Sequence, residues 1–196
     1  MTKLARVCVY CGASAGHDPA YRRAAERFGA ALVRRGIALV YGGGSVGIMG
    51  ALADAVLAAG GTAIGVIPRA LMERELAHQR LTELHVTASM HERKALMAEL
   101  ADAFVALPGG IGTLEELFEI WTWAQLGLHG KPCGWLDVNG YFGKLAAFLD
   151  LAVEQGFVQL RDRARLLTAA EPDELLAALA AYRAPHTERW VRREEL

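Results

Sequence analysis

The sequence predicts a Rossmann-like, doubly wound α/β fold: a parallel sheet with helices on both faces. Three observations carry this. Short, near-continuous apolar runs alternate with segments of helical period, the pattern of strands buried on both faces. Glycine-rich turns follow three of those strands. The chain has 196 residues, 53% of them hydrophobic and 22% charged, which suits one well-buried domain and argues against disorder. The expected division is a single domain over residues 1–182 and a charged tail over 183–196, where Trp190 would suit a subunit contact.

The elements follow in order. Arg6–Cys11 reads as a strand, and Pro19–Arg35 as a helix with Pro19 in its first turn. Ile37–Tyr41 is a strand, followed by a helix over Val46–Ala59 that ends at Gly60-Gly61. Thr62–Ile67 is a strand stopped by Pro68. The polar stretch Arg69–Thr82 lacks a clear strand and fits either a surface excursion or a loop closing over a site. Leu84–Thr87 is a short strand before a helix over Met90–Asp102, and Ala103–Leu107 a strand before a helix over Thr113–Leu128. Pro132–Val138, Tyr141–Gln155, Arg165–Thr168 and Pro172–Tyr182 complete the alternation as strand, helix, strand and helix. In such sheets ligands bind outside the carboxyl ends of the strands.

Composition narrows the function. A formal net charge of −1 gives no global attraction to nucleic acid or to an anionic membrane, so any phosphate recognition is local. No apolar run approaches the ~18 residues of a membrane-spanning helix, and the N-terminus lacks a secretory signal pattern. A cytoplasmic protein is expected. Cys8 and Cys11 have C-x-x-C spacing but lie in one strand, where residues three apart point to opposite faces. Buried, reduced thiols are therefore expected at Cys8, Cys11 and Cys133. The six histidines show no metal-ligand spacing, and no G-x-S-x-G nucleophile is present.

The glycine-rich turns are Gly12–Gly16, Gly42–Gly47 and Pro108–Gly112. Three such turns at one end of a parallel sheet would converge on a single crevice and favour a phosphorylated ligand, held by backbone N–H groups at helix N-termini. Gly42–Gly47 matches G-x-G-x-x-G, but the next strand ends Val66-Ile67-Pro68-Arg69, with no acid to hold a ribose hydroxyl. A nicotinamide cofactor does not fit.

The third turn is the most informative. Thr113 and Glu116 have the spacing of a capping box, which assigns Glu116 to backbone donors. Leu114, Leu117, Phe118 and Trp121 form an apolar stripe, while Glu115, Glu119 and Thr122 share another face. Glu115, nearest the glycines, becomes the candidate carboxylate for catalysis or ribose binding. Solvated polar residues are the plain alternative. Arg93 and Lys94 open another helix, where cations oppose the macrodipole unless an anion lies near. That anion is an acidic ligand or a structural partner such as Glu75 or Glu115.

Together Tyr41–Gly50 (YGGGSVGIMG), Met90–Ala95 (MHERKA), Pro108–Glu116 (PGGIGTLEE) and Thr122–Gly127 (TWAQLG) resemble the LONELY GUY family of cytokinin riboside 5′-monophosphate phosphoribohydrolases, once described as lysine decarboxylases. The resemblance runs from about Val7 to Ala181. It implies hydrolysis of the N-glycosidic bond of a purine nucleoside 5′-monophosphate, giving free base and ribose 5-phosphate without metal or cofactor. It implies catalytic roles for Glu115 and Arg93, so Glu115→Gln is expected to abolish base release and leave the fold intact. Substrate contacts are implied for Glu75, Lys94, Gly109, Gly110, Ile111, Gly112, Thr113, Leu114 and Thr122, and for Ser14, Gly43 and Gly44 on the other turns. It further implies a homodimer with sites near the interface. Ile111 stands where the family commonly has tyrosine, and Cys11–Gly16 reads CGASAG where CGSS is common; both bear on substrate shape. The competing reading is a binding protein like the molybdenum-cofactor carriers, which hold a phosphorylated pterin without cleaving it.

Overall fold

A computed structural model describes residues 4–72 and 76–185. Seven parallel strands form one sheet in the order β4-β3-β2-β1-β5-β6-β7. They are β1 (Arg6–Tyr10), β2 (Ala38–Tyr41), β3 (Ala63–Pro68), β4 (Glu83–Thr87), β5 (Ala103–Ala106), β6 (Cys133–Leu136) and β7 (Leu166–Ala169). The strand order reverses between β1 and β5, so the turns after these two strands diverge and open a crevice at the carboxyl edge. Register is direct there, with Val7 beside Ala103 and Tyr10 beside Ala106.

The helices are α1 (Pro19–Arg34), α2 (Gly47–Ala58), α3 (Met90–Leu100), α4 (Ile111–Gln125), α5 (Gly143–Glu154), α6 (Leu160–Arg163) and α7 (Pro172–Ala181). They cover both faces of the sheet. Phe28 and Leu32 of α1, Leu52 and Val56 of α2, and Leu175 of α7 pack on Val7, Val9, Leu39 and Val105. Met97 of α3, Leu117 and Trp121 of α4, and Leu149 of α5 pack on the opposite-facing Cys8, Tyr10, Phe104 and Trp135. Alternation along each strand thus serves two cores at once, which is why the strands read as continuous apolar runs. Cys8 and Cys11 fall into different cores, and all three cysteines are buried and free. Burial pushes the Cys133 thiol up to about 12 and those of Cys8 and Cys11 higher still, so none is a ready thiolate.

Several boundaries differ from expectation for local reasons. α4 starts at Ile111, two residues early, because Gly110 is extended and its carbonyl already accepts the first helical bond from Leu114 N–H (3.2 Å). α5 starts at Gly143 because a 3-10 turn over Val138–Gly140, with Asn139 at φ 52, occupies the preceding residues. α6 has only four residues, too few to show a periodic stripe. Pro68 is the last residue of β3 and pairs with Thr87, rather than stopping the strand before it. Trp190 and Glu75 lie outside the described residues.

Behind α4, the His129 Nε2–H donates to Ile120 O (2.9 Å) and Nδ1 accepts from Lys131 N–H (3.1 Å), with the ring against Phe104. Burial, with the nearby Lys131 and Arg165 charges, lowers its pKa from 6.5 to about 4. The folded protein keeps this ring neutral while the unfolded chain takes up a proton below 6.5. Its contribution is therefore complete above 6.5 and is lost as the pH falls toward 4. Unfolding free energies from urea titrations are expected to drop across that window by up to about 3 kcal/mol more in the native protein than in His129→Gln. Parallel pH profiles would contradict this.

Candidate active site

A cavity of about 520 Å³ opens at the β1/β5 reversal. The first glycine turn (Gly12 to Gly16, with Ser14) and the start of α4 (Gly109, Gly110, Gly112, Thr113) form its floor, with Arg93, Glu115 and Glu116 on its wall. Ile48, Met49, Leu71 and Met90 supply apolar lining from the β2 to β4 side, and Tyr141 closes the β6 side.

The two lining turns hold one another. Gly12 N–H donates to Pro108 O (3.2 Å), and Gly12 O accepts from Ile48 and Met49 N–H (3.0 and 3.2 Å). The first turn of α2 thus spends its donors on protein. α4 does not: its N-cap, Gly110, has no side-chain capping bond, and a Cβ at Gly110 or Gly112 would meet only open space. A helix start without a side-chain cap, with glycines around it, suits an anion. Gly109 is close-packed instead, since a Cβ there would overlap Thr113 Oγ1 and come within 2.7 Å of Gly12 N.

The second turn supports the wall rather than lining it. Gly43 O accepts from His78 N–H (2.9 Å), Gly44 bridges to Ala77, and neither Gly43 nor Gly44 reaches the cavity. The expected convergence of three turns is therefore a convergence of two, because the second is occupied by the chain returning toward β4. That return is pinned by His78 Nε2 and Asp54 Oδ1 (3.2 Å) and by Thr82 N–H donating to Ala63 O (3.1 Å). Gly42 meets Arg93 directly: its carbonyl accepts from the guanidinium (3.5 Å), and a Cβ there would overlap it.

Arg93 is 5% exposed, projecting from the first turn of α3. Ser89 caps that helix, accepting from Glu92 N–H (3.2 Å), and Glu92 accepts from Ala88 N–H (2.8 Å), so the local acid is already engaged. The Arg93 guanidinium approaches Glu116 Oε1 at 3.8 Å, with both side chains largely buried. The negative charge of Glu116 is also felt at Cys8, Tyr10 and Cys11, which places it over the end of β1.

Glu115 lines the cavity too, but its carboxylate pairs with Lys94 rather than Arg93. It accepts from Lys94 Nζ at 2.6 Å, and Glu119 accepts from the same ammonium at 2.9 Å. Burial disfavours the Lys94 charge, but these hydrogen bonds and the two carboxylate charges outweigh it and leave its pKa above 10.5. Glu115 is half exposed where Glu116 is 11% exposed. Thr113 does not cap α4, being its third residue, so the capping-box reading of Glu116 is corrected. Glu116, the last residue of PGGIGTLEE, is the glutamate that meets Arg93.

The other expected contacts divide. Ser14, Gly109, Gly110, Gly112 and Thr113 line the cavity. Lys94, Leu114 and the 88%-exposed Ile111 do not. Thr122 is also outside it, its hydroxyl donating to Phe118 O (2.7 Å). Among the described residues no group of three or more His, Cys, Asp or Glu side chains is placed to hold a metal, and no helix is long and apolar enough to cross a membrane.

Residues 49–179 match the family model described as possible lysine decarboxylase. A cytokinin riboside 5′-monophosphate phosphoribohydrolase of Arabidopsis thaliana is 50% identical over 181 residues, covering 92% of this chain and 85% of the relative. An enzyme of that name from Oryza sativa subsp. japonica is 49% identical, over 92% of this chain and 75% of its own. Among solved structures, the molybdenum cofactor binding protein of Rippkaea orientalis superposes with a TM-score of 0.68 at 18% identity, over 92% of this chain and 98% of that one. The molybdenum cofactor carrier protein of Chlamydomonas reinhardtii gives 0.66 at 22%, over 90% and 96%. At these identities the likeness concerns the fold.

Proposed function

This chain belongs to the family of cytokinin riboside 5′-monophosphate phosphoribohydrolases, and on that premise we propose that it hydrolyses the N-glycosidic bond of such nucleotides, and of AMP. One observation carries the chemistry: a buried Arg93–Glu116 ion pair lies on the wall of the same cavity as the uncapped start of α4. The 5′-phosphate would sit on the N–H groups of that first turn, with Ser14 opposite. The ribose then lies toward Glu116. Cleavage of C1′–N develops positive charge on the sugar, which a carboxylate in a poorly hydrated wall stabilises strongly. Water adds hydroxyl to C1′ and a proton goes to the departing base. Arg93 holds Glu116 in place on the cavity wall.

Glu115 takes a supporting part in this reading: with Glu119 it fixes Lys94, the neighbour of Arg93 on α3. The apolar residues Met49, Leu71 and Met90 suit the base end. Thr122 faces away from this chain's own cavity, so a substrate contact by it would need the α4 of a second copy. That is consistent with the homodimer proposed here. A cytoplasmic setting with reduced thiols is likewise proposed. A carrier function draws support from fold likeness alone, and a pure carrier has no need of a buried acid–guanidinium pair beside its phosphate turn.

Purified protein incubated with AMP and with isopentenyladenosine 5′-monophosphate is expected to release free base and ribose 5-phosphate, and to leave adenosine intact. Sedimentation velocity is expected to show a dimer. Tight binding of the nucleotides with no base released would return the carrier reading.

A further inference from the structure

We infer that Tyr141 is a positioning residue for the phosphate turn, acting through the Gly109 carbonyl. This rests on the reading above, that the start of α4 holds the 5′-phosphate. Tyr141 lines the cavity and is 42% exposed, yet its hydroxyl donates inward to Gly109 O at 2.7 Å.

The segment that carries it is built to hold that hydroxyl. Asp137 accepts from Phe142 N–H (2.8 Å), Tyr141 N–H donates to Val138 O (3.0 Å), and the Phe142 ring stacks on the buried Trp135 at 4.9 Å. Asn139, in the left-handed region, donates to Asp18 (3.2 Å), whose other carboxylate oxygen accepts from Ala20 N–H at the start of α1. Tyr21 of α1 meets the Tyr141 ring edge-on at 5.4 Å. The β6–α5 turn therefore ties the α1 side of the cavity to the α4 side.

Two consequences follow for an anion. The Gly109–Gly110 peptide is trans, so holding its carbonyl also fixes the direction of the Gly110 N–H at the N-cap of α4. A carbonyl among cavity-lining groups repels phosphate oxygens; one that already accepts a short hydroxyl bond is turned away and partly neutralised. A phenol has a single proton to donate, and here it is spent on the backbone. Tyr141 thus shapes the cradle instead of contacting the phosphate.

Tyr141→Phe keeps the ring and removes the hydroxyl. It is expected to raise KM for AMP about tenfold with kcat within about twofold, the effect of one hydrogen bond acting on ground-state binding. Calorimetry with ribose 5-phosphate should show the same loss of affinity, while adenine binding and Tm stay unchanged. Unchanged KM and ribose 5-phosphate affinity would overturn the assignment. So would a fall in kcat alone, or an equal loss of adenine affinity, which would mean general loosening. If the native protein releases no base, the hydrolase reading fails, and the ribose 5-phosphate titration still decides the role of Tyr141.

Discussion

Glu116→Gln is expected to lower kcat for base release by at least about 10³-fold, close to 4 kcal/mol of transition-state stabilisation. The size follows from where the charge is needed. An oxocarbenium-like sugar develops its charge late, and a fixed carboxylate 11% exposed acts on it through little water. The amide keeps the shape and loses the charge. Glu115→Gln is the paired measurement. It loosens an exposed contact to Lys94 that Glu119 also makes, so kcat should fall by no more than about tenfold. The two carboxylates are adjacent in sequence, and only their contacts separate these outcomes. A large loss in Glu115→Gln with a small one in Glu116→Gln would restore Glu115 as the catalytic group.

Gly47→Ala should cost at least about 3 kcal/mol of stability, read as a urea-midpoint shift and a Tm drop of roughly 6 °C or more. Gly47 joins the left-handed region (φ 61) to a contact with rigid backbone: a Cβ there would overlap the Ala13 carbonyl group and lie 2.6 Å from Ser14 N. Neither neighbour can swing aside, so the first turn must move, and the cavity floor with it. Gly60→Ala is the control. Its φ is 77 but nothing lies within 4 Å of a new Cβ, so only the backbone term of about 1–2 kcal/mol remains. Equal losses in the two variants would show that close contact between the first turn and α2 contributes nothing.

Most of the fold was readable because two-sided burial imposes a simple pattern. Every strand that packs on both cores is an apolar run between a helix end and a turn, and each of the seven was placed within two residues. α6 escaped because four residues carry no period. The start of α4 was misplaced because Thr113 and Glu116 have capping-box spacing, while the backbone begins the helix at Gly110 without a side-chain cap. Sequence spacing identifies which residues share a face of a helix; it says nothing of which neighbour that face meets.

The candidate site shows the same division. Sequence alone determined the alternating α/β order, the glycine-rich turn after the fifth strand, Arg93 and two adjacent glutamates as candidates, and the family. Tertiary structure decided which glutamate meets Arg93, that Gly43 and Gly44 face the chain near His78 instead of the cavity, and that Tyr141 reaches the Gly109 carbonyl across 32 residues. The physical reason is azimuth. Consecutive residues on a helix point about 100° apart, so Glu115 and Glu116 differ only in direction, and that direction acquires meaning when α4 packs beside α3.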